Sequence, residues 1–384
     1  MEYIENAKII ENQIIKDRRV IHQNPEFGME LPQTVAFVKG RLESMGYEVT
    51  SCGGGLVTTV GNGGKVILLR ADMDALESCE ENNCTFKSQN KFAHLCGHDM
   101  HTAMLLGVAK LLKDNEKNLM GTVKMMFQPG EEVAKGAKAM IAAGVLNNPK
   151  VDVALALHVT TCYANGKMFY KSGAAFSSVD LFTIEATGKG GHGSAVESTK
   201  DPINALVQIY NQLNGIITRE VSMFNFSTCS VGQIEAGKMP NVIPQNGVMK
   251  GTLRCYDDND RDRLISRLKS IVDGVSKGTE VKCDLKLVSL PSLKNDKELC
   301  NELTKYLSEI EGLEFFEETI PATGSEDFAA ISQIVPTMFI WFGVGEDGGV
   351  TLHSPNAIFH EDKMYLGSAA MANAATKWLE EKHE

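Results

Sequence analysis

No stretch of this 384-residue chain approaches the roughly 18 consecutive apolar residues that mark a membrane span. A basic patch is missing too. Lys and Arg total 38 against 49 Asp and Glu, for a formal net charge of -11. An acidic surface repels phosphate backbones, so neither nucleic acid nor membrane is an expected partner. The segment MEYIENAKIIENQIIKDRRVIH has no apolar core of the kind a secretory signal needs, because charges interrupt it every few residues. Ile9, Ile10, Ile14, Ile15 and Val20 predict an amphipathic helix there instead. The nine cysteines, Cys52, Cys79, Cys84, Cys96, Cys162, Cys229, Cys255, Cys283 and Cys300, are odd in number and scattered. They suit a reducing, cytoplasmic compartment better than a disulfide framework. Internal repeats and low-complexity tracts are absent as well.

What is present reads as an ordinary globular chain, with 43% apolar and 23% charged residues. Its length exceeds what one core usually holds, which predicts two domains. Val66–Arg70, Thr122–Phe127 and Val151–Leu157 read as near-continuous apolar strands. They are separated by a buried helix at His101–Lys113 and a short one at Lys135–Ala143. Such a pattern predicts an α/β fold with a mostly parallel sheet covered on both faces. From Val179 the character changes. Strands at Val179–Thr187, Ser227–Glu235, Gly247–Tyr256 and Glu280–Leu287 alternate with helices at Pro202–Thr218 and Asp260–Val275. That β-α-β-β-α-β order predicts a ferredoxin-like α+β domain. It is expected at 179–288, inserted between 1–178 and 289–384 of a catalytic metal-binding domain. Helices at Leu299–Ile310 and Lys363–Glu381, and a strand at Pro336–Phe342, complete the larger domain.

The informative feature is where polar residues fall. Val66–Arg70 leads into Asp72 and Asp74, Thr122–Phe127 into Gln128-Pro129-Gly130-Glu131-Glu132, and Val151–Leu157 into His158. In open α/β sheets, sites form outside the carboxyl ends of strands. Cys96-Gly97-His98-Asp99-Met100-His101 stands at the start of a buried helix and supplies a fourth cluster. Taken singly, each has an ordinary reading: a solvated acidic loop, a hydrogen-bonded core histidine, a turn. Their joint placement at one sheet edge points to a metal site. Imidazole, thiolate and carboxylate together suit zinc, with manganese, cobalt or nickel as alternatives. Two adjacent glutamates allow one to hold metal while the other takes a proton from water, whose pKa a metal lowers from about 15.7 to about 7.

These motifs resemble the aminoacylase/carboxypeptidase superfamily of dinuclear metallopeptidases. Within it they resemble the amidohydrolase branch of hippurate hydrolases, N-acetyl-diaminopimelate deacetylases and plant indole-acetyl-amino-acid hydrolases. The resemblance runs through His22-Gln23-Asn24-Pro25-Glu26, Arg70-Ala71-Asp72-Met73-Asp74-Ala75-Leu76, the Cys96 and Gln128 clusters, and Gly188-Lys189-Gly190-Gly191-His192-Gly193-Ser194. It continues through Asn241-Val242-Ile243-Pro244, Gly324-Ser325-Glu326-Asp327-Phe328 and Leu352-His353-Ser354-Pro355. The resemblance implies that Cys96, His98, Glu132, His158 and His353 hold two divalent metal ions, with Cys96 in the bridging position. It implies Glu131 as general base, Asp72 or Asp74 as the carboxylate orienting a metal ligand, and His192 on the scissile carbonyl oxygen, often across a homodimer. Asn241 and Arg254 would hold the substrate carboxylate. The implied activity is hydrolysis of N-acetyl or N-aroyl amino acids to a carboxylic acid and a free amino acid. A dipeptidase or carboxypeptidase of the same superfamily is the alternative.

Two segments depart from the family's pattern. Leu76 is followed by Glu77-Ser78-Cys79-Glu80-Glu81 instead of a proline, and the segment after His158, Thr160-Thr161-Cys162-Tyr163, differs from the usual proline-containing run. Both are expected near the substrate entrance. Two rival readings from other classes are a cysteine hydrolase using Cys96 with His98 or His101, and a metal-binding module without catalysis. Chelator sensitivity separates the first from metal chemistry, and the presence of both Glu131 and Glu132 speaks against the second.

Overall fold

The computed structural model describes residues 3–383. The chain divides into two compact units, Met1–Ala175 with Lys294–Pro321 and Glu326–Glu384, and Phe176–Leu293 with Ala322–Ser325.

The first unit is built on an eight-stranded sheet. Its order is Thr50–Cys52, Gly55–Gly61, Thr122–Gln128, Val66–Asp72, Val153–Ala164, Thr337–Gly345, Lys167–Tyr170, Glu314–Glu317. The four central strands, Thr122–Gln128 to Thr337–Gly345, run parallel. Antiparallel pairings flank them on either side. Every residue of Val66–Asp72 and of Thr122–Gln128 is buried, as a parallel sheet covered on both faces requires. The helix His98–Asp114 is buried on nearly all sides, which explains why its sequence is apolar all round rather than striped. Leu105, Leu106, Val108 and Leu112 join one core cluster with Ile67, Leu69, Val123, Leu155 and Ile340 of the sheet.

Several boundaries differ from the sequence reading. The amphipathic N-terminal segment is two helices, Tyr3–Ile9 and Glu11–Gln23. Ile14 is buried, but Ile9 lies 79% exposed at the break between them. The third central strand runs on to Ala164, so His158 sits inside a strand opposite Trp341 rather than after a strand end. The helix Pro32–Ser44, the hairpin Thr50–Gly61 and the strands Lys167–Tyr170 and Glu314–Glu317 escaped the sequence reading. The strands among them are short or lie at the sheet's edges, where apolar patterning is weakest.

The second unit carries a four-stranded antiparallel sheet in the order Ser227–Ala236, Asn246–Cys255, Val179–Thr187, Lys282–Leu290. Its two helices, Pro202–Glu220 and Asp258–Thr279, share one core with the sheet. Phe182, Ile184, Leu206, Ile209, Leu264, Leu268 and Met249 make up its centre. Asp201 and Asp257 cap these helices through their side chains, accepting from Ile203 N–H and from the N–H groups of Asn259 and Asp260.

The helix start that presents His98 depends on a glycine. Gly97 has φ +85 and precedes the first helical turn. A Cβ there would stand 2.3 Å from Val159 Cγ2. Left-handed strain and overpacking each cost about 1–3 kcal/mol. Gly97→Ala should therefore lower the urea midpoint of unfolding by that order, whereas Gly63→Ala, also at positive φ but with open space around it, should lower it by the strain alone. Equal shifts in the two variants would contradict the packing argument.

Candidate metal centre

The sheet edge brings the clusters together through backbone register. Asp72 and Gln128 end neighbouring strands and pair directly. Two residues on, the Asp74 carboxylate accepts from the backbone N–H of Glu131 at 3.0 Å and of Glu132 at 3.2 Å. A carboxylate taking two N–H donors holds a turn firmly, so Asp74 fixes where both glutamates leave the chain. Its carbonyl oxygen accepts from His98 Nδ1 at 2.8 Å, which directs Nε2 of that ring away from the backbone.

His101 has both nitrogens occupied. Val159 N–H donates to Nε2 at 2.8 Å, so the ring proton is on Nδ1, and that nitrogen donates to Asp72 Oδ1 at 2.6 Å. Asp72, His98, His101 and His158 offer four ligand atoms within reach of one another, but His101 has no lone pair left to give. Asp72 Oδ2 in turn faces Arg70 Nη1 at 2.7 Å. Both residues are thus engaged by other groups of the protein. His158 donates from Nδ1 to the Val159 carbonyl at 2.7 Å, which leaves its Nε2 lone pair available.

The remaining donors converge. His353 Nε2 lies 3.2 Å from Cys96 Sγ and 3.5 Å from Glu132 Oε1. His158 Nε2 lies 3.6 Å from Cys96 Sγ, and His98 Nε2 lies 3.8 Å from Glu132 Oε1. Nε2 of His98 and Oε1 of Glu132 are buried with no hydrogen-bond partner. Orphaned buried polar atoms are rare and call for a ligand. Here they fall within a thiol, imidazole and carboxylate set that suits a zinc-like ion. His353 reaches the group from a backbone with φ +67, a left-handed conformation costly for a residue other than glycine.

Charges in the site are unbalanced. Burial pushes the Cys96 thiol well above its ordinary range, with Glu132 and Glu131 adding to the effect and His98 opposing it. A coordinating cation reverses this and deprotonates a thiol outright. A cysteine hydrolase pairing Cys96 with His101 gains no support, since Val159 N–H and Asp72 occupy both nitrogens of that ring.

Arg70, wholly buried, organises the far side. Nη1 faces Asp72, Nη2 lies 2.8 Å from Glu326 Oε1 and 3.1 Å from Asp327 Oδ1, and Nε donates to Gln128 Oε1 at 3.0 Å. Gln128 Nε2 donates back to Asp327 Oδ1 at 2.7 Å, and Ala137 N–H to Asp327 Oδ2 at 2.9 Å. The backbone N–H of Asp327 reaches Glu131 Oε1 at 3.4 Å. The roles of Arg70, Glu326 and Asp327 were not read from sequence. The signal was there in the Gly324–Phe328 motif, but nothing along the chain ties it to Arg70 or Glu131.

In the second unit, His192 is exposed on a two-residue strand, Gly191–His192, that pairs with Val242–Ile243. Gly193 N–H donates to the Asn241 carbonyl at 2.8 Å, so His192 and Asn241 share one turn. Ser194 N–H donates to His192 Nδ1 at 3.2 Å, which places the ring proton on Nε2 as an available donor. Arg254 donates from Nη1 to the Thr323 carbonyl at 3.3 Å.

A family model described as peptidase family M20/M25/M40 matches residues 68–377. The chain is 38% identical to thermostable carboxypeptidase 2 of Saccharolobus solfataricus over 387 residues, 97% of each chain. It is 32% identical to N-acetyl-L-cysteine deacetylase of Bacillus subtilis, covering 99% of this chain and 91% of that one. It is also 32% identical to hippurate hydrolase of Campylobacter jejuni, covering 99% and 100%. A solved Bacillus subtilis structure described as a dinuclear metal-binding peptidase from the M20 family superposes with a TM-score of 0.83 at 30% identity, covering 97% and 99%.

The carboxylate cluster has a pH signature. Burial pushes Glu326 up to about 7 and Asp327 up to about 6, although Arg70 pulls both down. Folded-state values above the ordinary ones mean that the folded protein binds more protons between the two. The contribution of these two carboxyl groups to the stability of the metal-free protein should be fullest below about pH 4 and be lost as pH rises through about 7. Urea midpoints at pH 5 and pH 7.5 test this, and Glu326→Gln should flatten the slope. An unchanged slope in that variant would contradict the assignment.

Proposed function

The chain belongs to peptidase family M20/M25/M40, and from that premise we propose that its metal centre hydrolyses the amide bond of N-acyl amino acids. The observation that carries the reading is the pair of orphaned buried atoms, His98 Nε2 and Glu132 Oε1, among Cys96, His158 and His353 and next to Glu131. Those five residues would hold two divalent ions. Zinc fits the donor set best, and manganese, cobalt and nickel are the other candidates. The ions supply Lewis acidity, which polarises a carbonyl and makes water acidic near neutral pH.

The chain's own groups do the rest. Glu131, held by Asp74 below and by the Asp327 N–H above, takes a proton from the water that attacks the acyl carbon. As the C–N bond breaks, it returns that proton to the departing amine. His192 donates from Nε2 to the oxygen that gains charge. Arg254 and Asn241 hold the carboxylate of the amino-acid portion. The products are a carboxylic acid and a free amino acid. A deacetylase and a hippurate hydrolase among the relatives support an acetyl or aroyl group. The carboxypeptidase at 38% identity favours a second reading, cleavage of peptides from the carboxyl end. Turnover of N-acetyl and N-benzoyl amino acids against free dipeptides separates the two.

The edge strand Ser227–Ala236 of the second unit's four-stranded sheet supports assembly as a homodimer through that unit. Among the described residues no helix is long and apolar enough to cross a membrane, and the scattered cysteines favour the cytoplasm.

Glu131→Gln should retain metal and lose turnover by about 10²–10⁴ or more, because an amide cannot carry the proton. Metal analysis by mass spectrometry with kinetics on one sample checks this. Loss of metal would mean that Glu131 and Glu132 exchange roles. His192→Ala should lower turnover with metal content unchanged. If His192 serves a neighbouring subunit, hybrids of His192→Ala with Glu131→Gln chains should regain activity that neither has alone. A fully active monomer would contradict that arrangement.

A further inference from the structure

Outside the metal centre, one imidazole, one carboxylate and one thiol come together at His22, Glu80 and Cys84. Their ligand atoms all lie within 4.8 Å of one another. His22 Nε2 is 2.7 Å from Glu80 Oε2, and Cys84 Sγ is 3.2 Å from Glu80 Oε1. With bond lengths of about 2.0 Å to nitrogen or oxygen and 2.3 Å to sulfur, ligands of a tetrahedral zinc stand about 3.3–3.6 Å apart. Small side-chain shifts reach that spacing.

We propose that His22, Glu80 and Cys84 form a further zinc-type site that ties the loop Glu77–Phe92 to the helix Glu11–Gln23. The other ring nitrogen of His22 lies 2.8 Å from Asp99 Oδ2. A ligating histidine backed by a carboxylate in this way is oriented and made more basic. His22 and Cys84 line a cavity of about 210 Å³ together with Arg18, Asn82, Asn83 and Phe86, which leaves room for water. Three protein ligands and an open position form an accepted zinc geometry.

The opposing reading is a plain buried ion pair, His22 with Glu80. Arg18 and Arg19 stand nearby, but Arg18 Nε bonds to Asp99 at 2.8 Å, and Arg18 Nη1 and Arg19 Nη2 lie 2.9 Å and 2.6 Å from Glu361. The contacts of Glu80 are instead with His22 and Cys84. What favours a cation over the ion pair is the loop itself. Residues 77–92 contain no helix or strand and are closed by the single bridge Leu76–Ala93. Loops of that length without structure of their own are uncommon unless they serve a function. This is also the segment where Leu76 is followed by Glu77 in place of the proline of the pattern it resembles.

The test is metal stoichiometry on intact protein saturated with zinc and dialysed against metal-free buffer. The wild type should hold one zinc more per chain than Cys84→Ala and Glu80→Gln, while Cys79→Ala, a change at an exposed thiol, should match the wild type. Turnover per catalytic site should be unchanged in Cys84→Ala. The difference is read whatever the total, so emptiness of the catalytic centre would show as a lower total in every sample and leave this site's one-zinc difference intact. Equal zinc in wild type and Cys84→Ala overturns the proposal, as does an equal loss in Cys79→Ala.

Discussion

A single buried guanidinium organises both sides of the metal centre. Arg70 sits in a strand whose every residue is buried, so its charge has no water to face and must be matched by protein. Asp72, Glu326 and Asp327 supply that match, and Gln128 fills the remaining donor position. Breaking such a buried network by removing one partner typically costs 3–5 kcal/mol. The geometry then propagates. Through Asp72 it sets His101, which accepts from Val159 N–H next to His158. Through Asp327 it sets the N–H that meets Glu131. The side that carries His101 and His158 and the side that carries Glu131 are thus both linked to one side chain.

The centre is also short of positive charge. Six carboxylates, those of Asp72, Asp74, Glu131, Glu132, Glu326 and Asp327, and the Cys96 thiol surround one guanidinium and the imidazole of His98. Without cations, protons make up the deficit. Burial and neighbouring carboxylates push Glu131 well above its usual range, and burial does the same to Cys96. Two divalent ions in this space would replace those protons and free Glu131 to act as a base. The stability of the empty site and the reactivity of the filled one therefore draw on the same electrostatics.

Much of this was legible in the sequence because strand patterning and polar placement are local. The apolar runs Val66–Arg70 and Thr122–Phe127 located the sheet edge, and the residues after them located Asp72, Asp74 and the Glu131-Glu132 pair. His158 was found for a partly mistaken reason, since its strand continues past it to Ala164. The division of labour between Asp72 and Asp74 was not legible. It depends on which backbone N–H groups and ring nitrogens meet across 25 to 60 residues of chain, and the two carboxylates do different work, one on His101 and the other on the glutamate turn. Arg70 and Asp327 lie more than 250 residues apart, and no spacing rule pairs them. His353 came from resemblance alone, and its left-handed backbone is a feature that no propensity anticipates.

The most direct measurement is anomalous diffraction from crystals of the metal-loaded protein, with data collected on both sides of the absorption edge of the metal supplied. The account predicts two peaks within bonding distance of Cys96 Sγ, with His98, His158, His353 and Glu132 completing their ligands and His101 and Asp72 outside them. No peak beside Cys96, or a metal bound by His101 and Asp72, would contradict it.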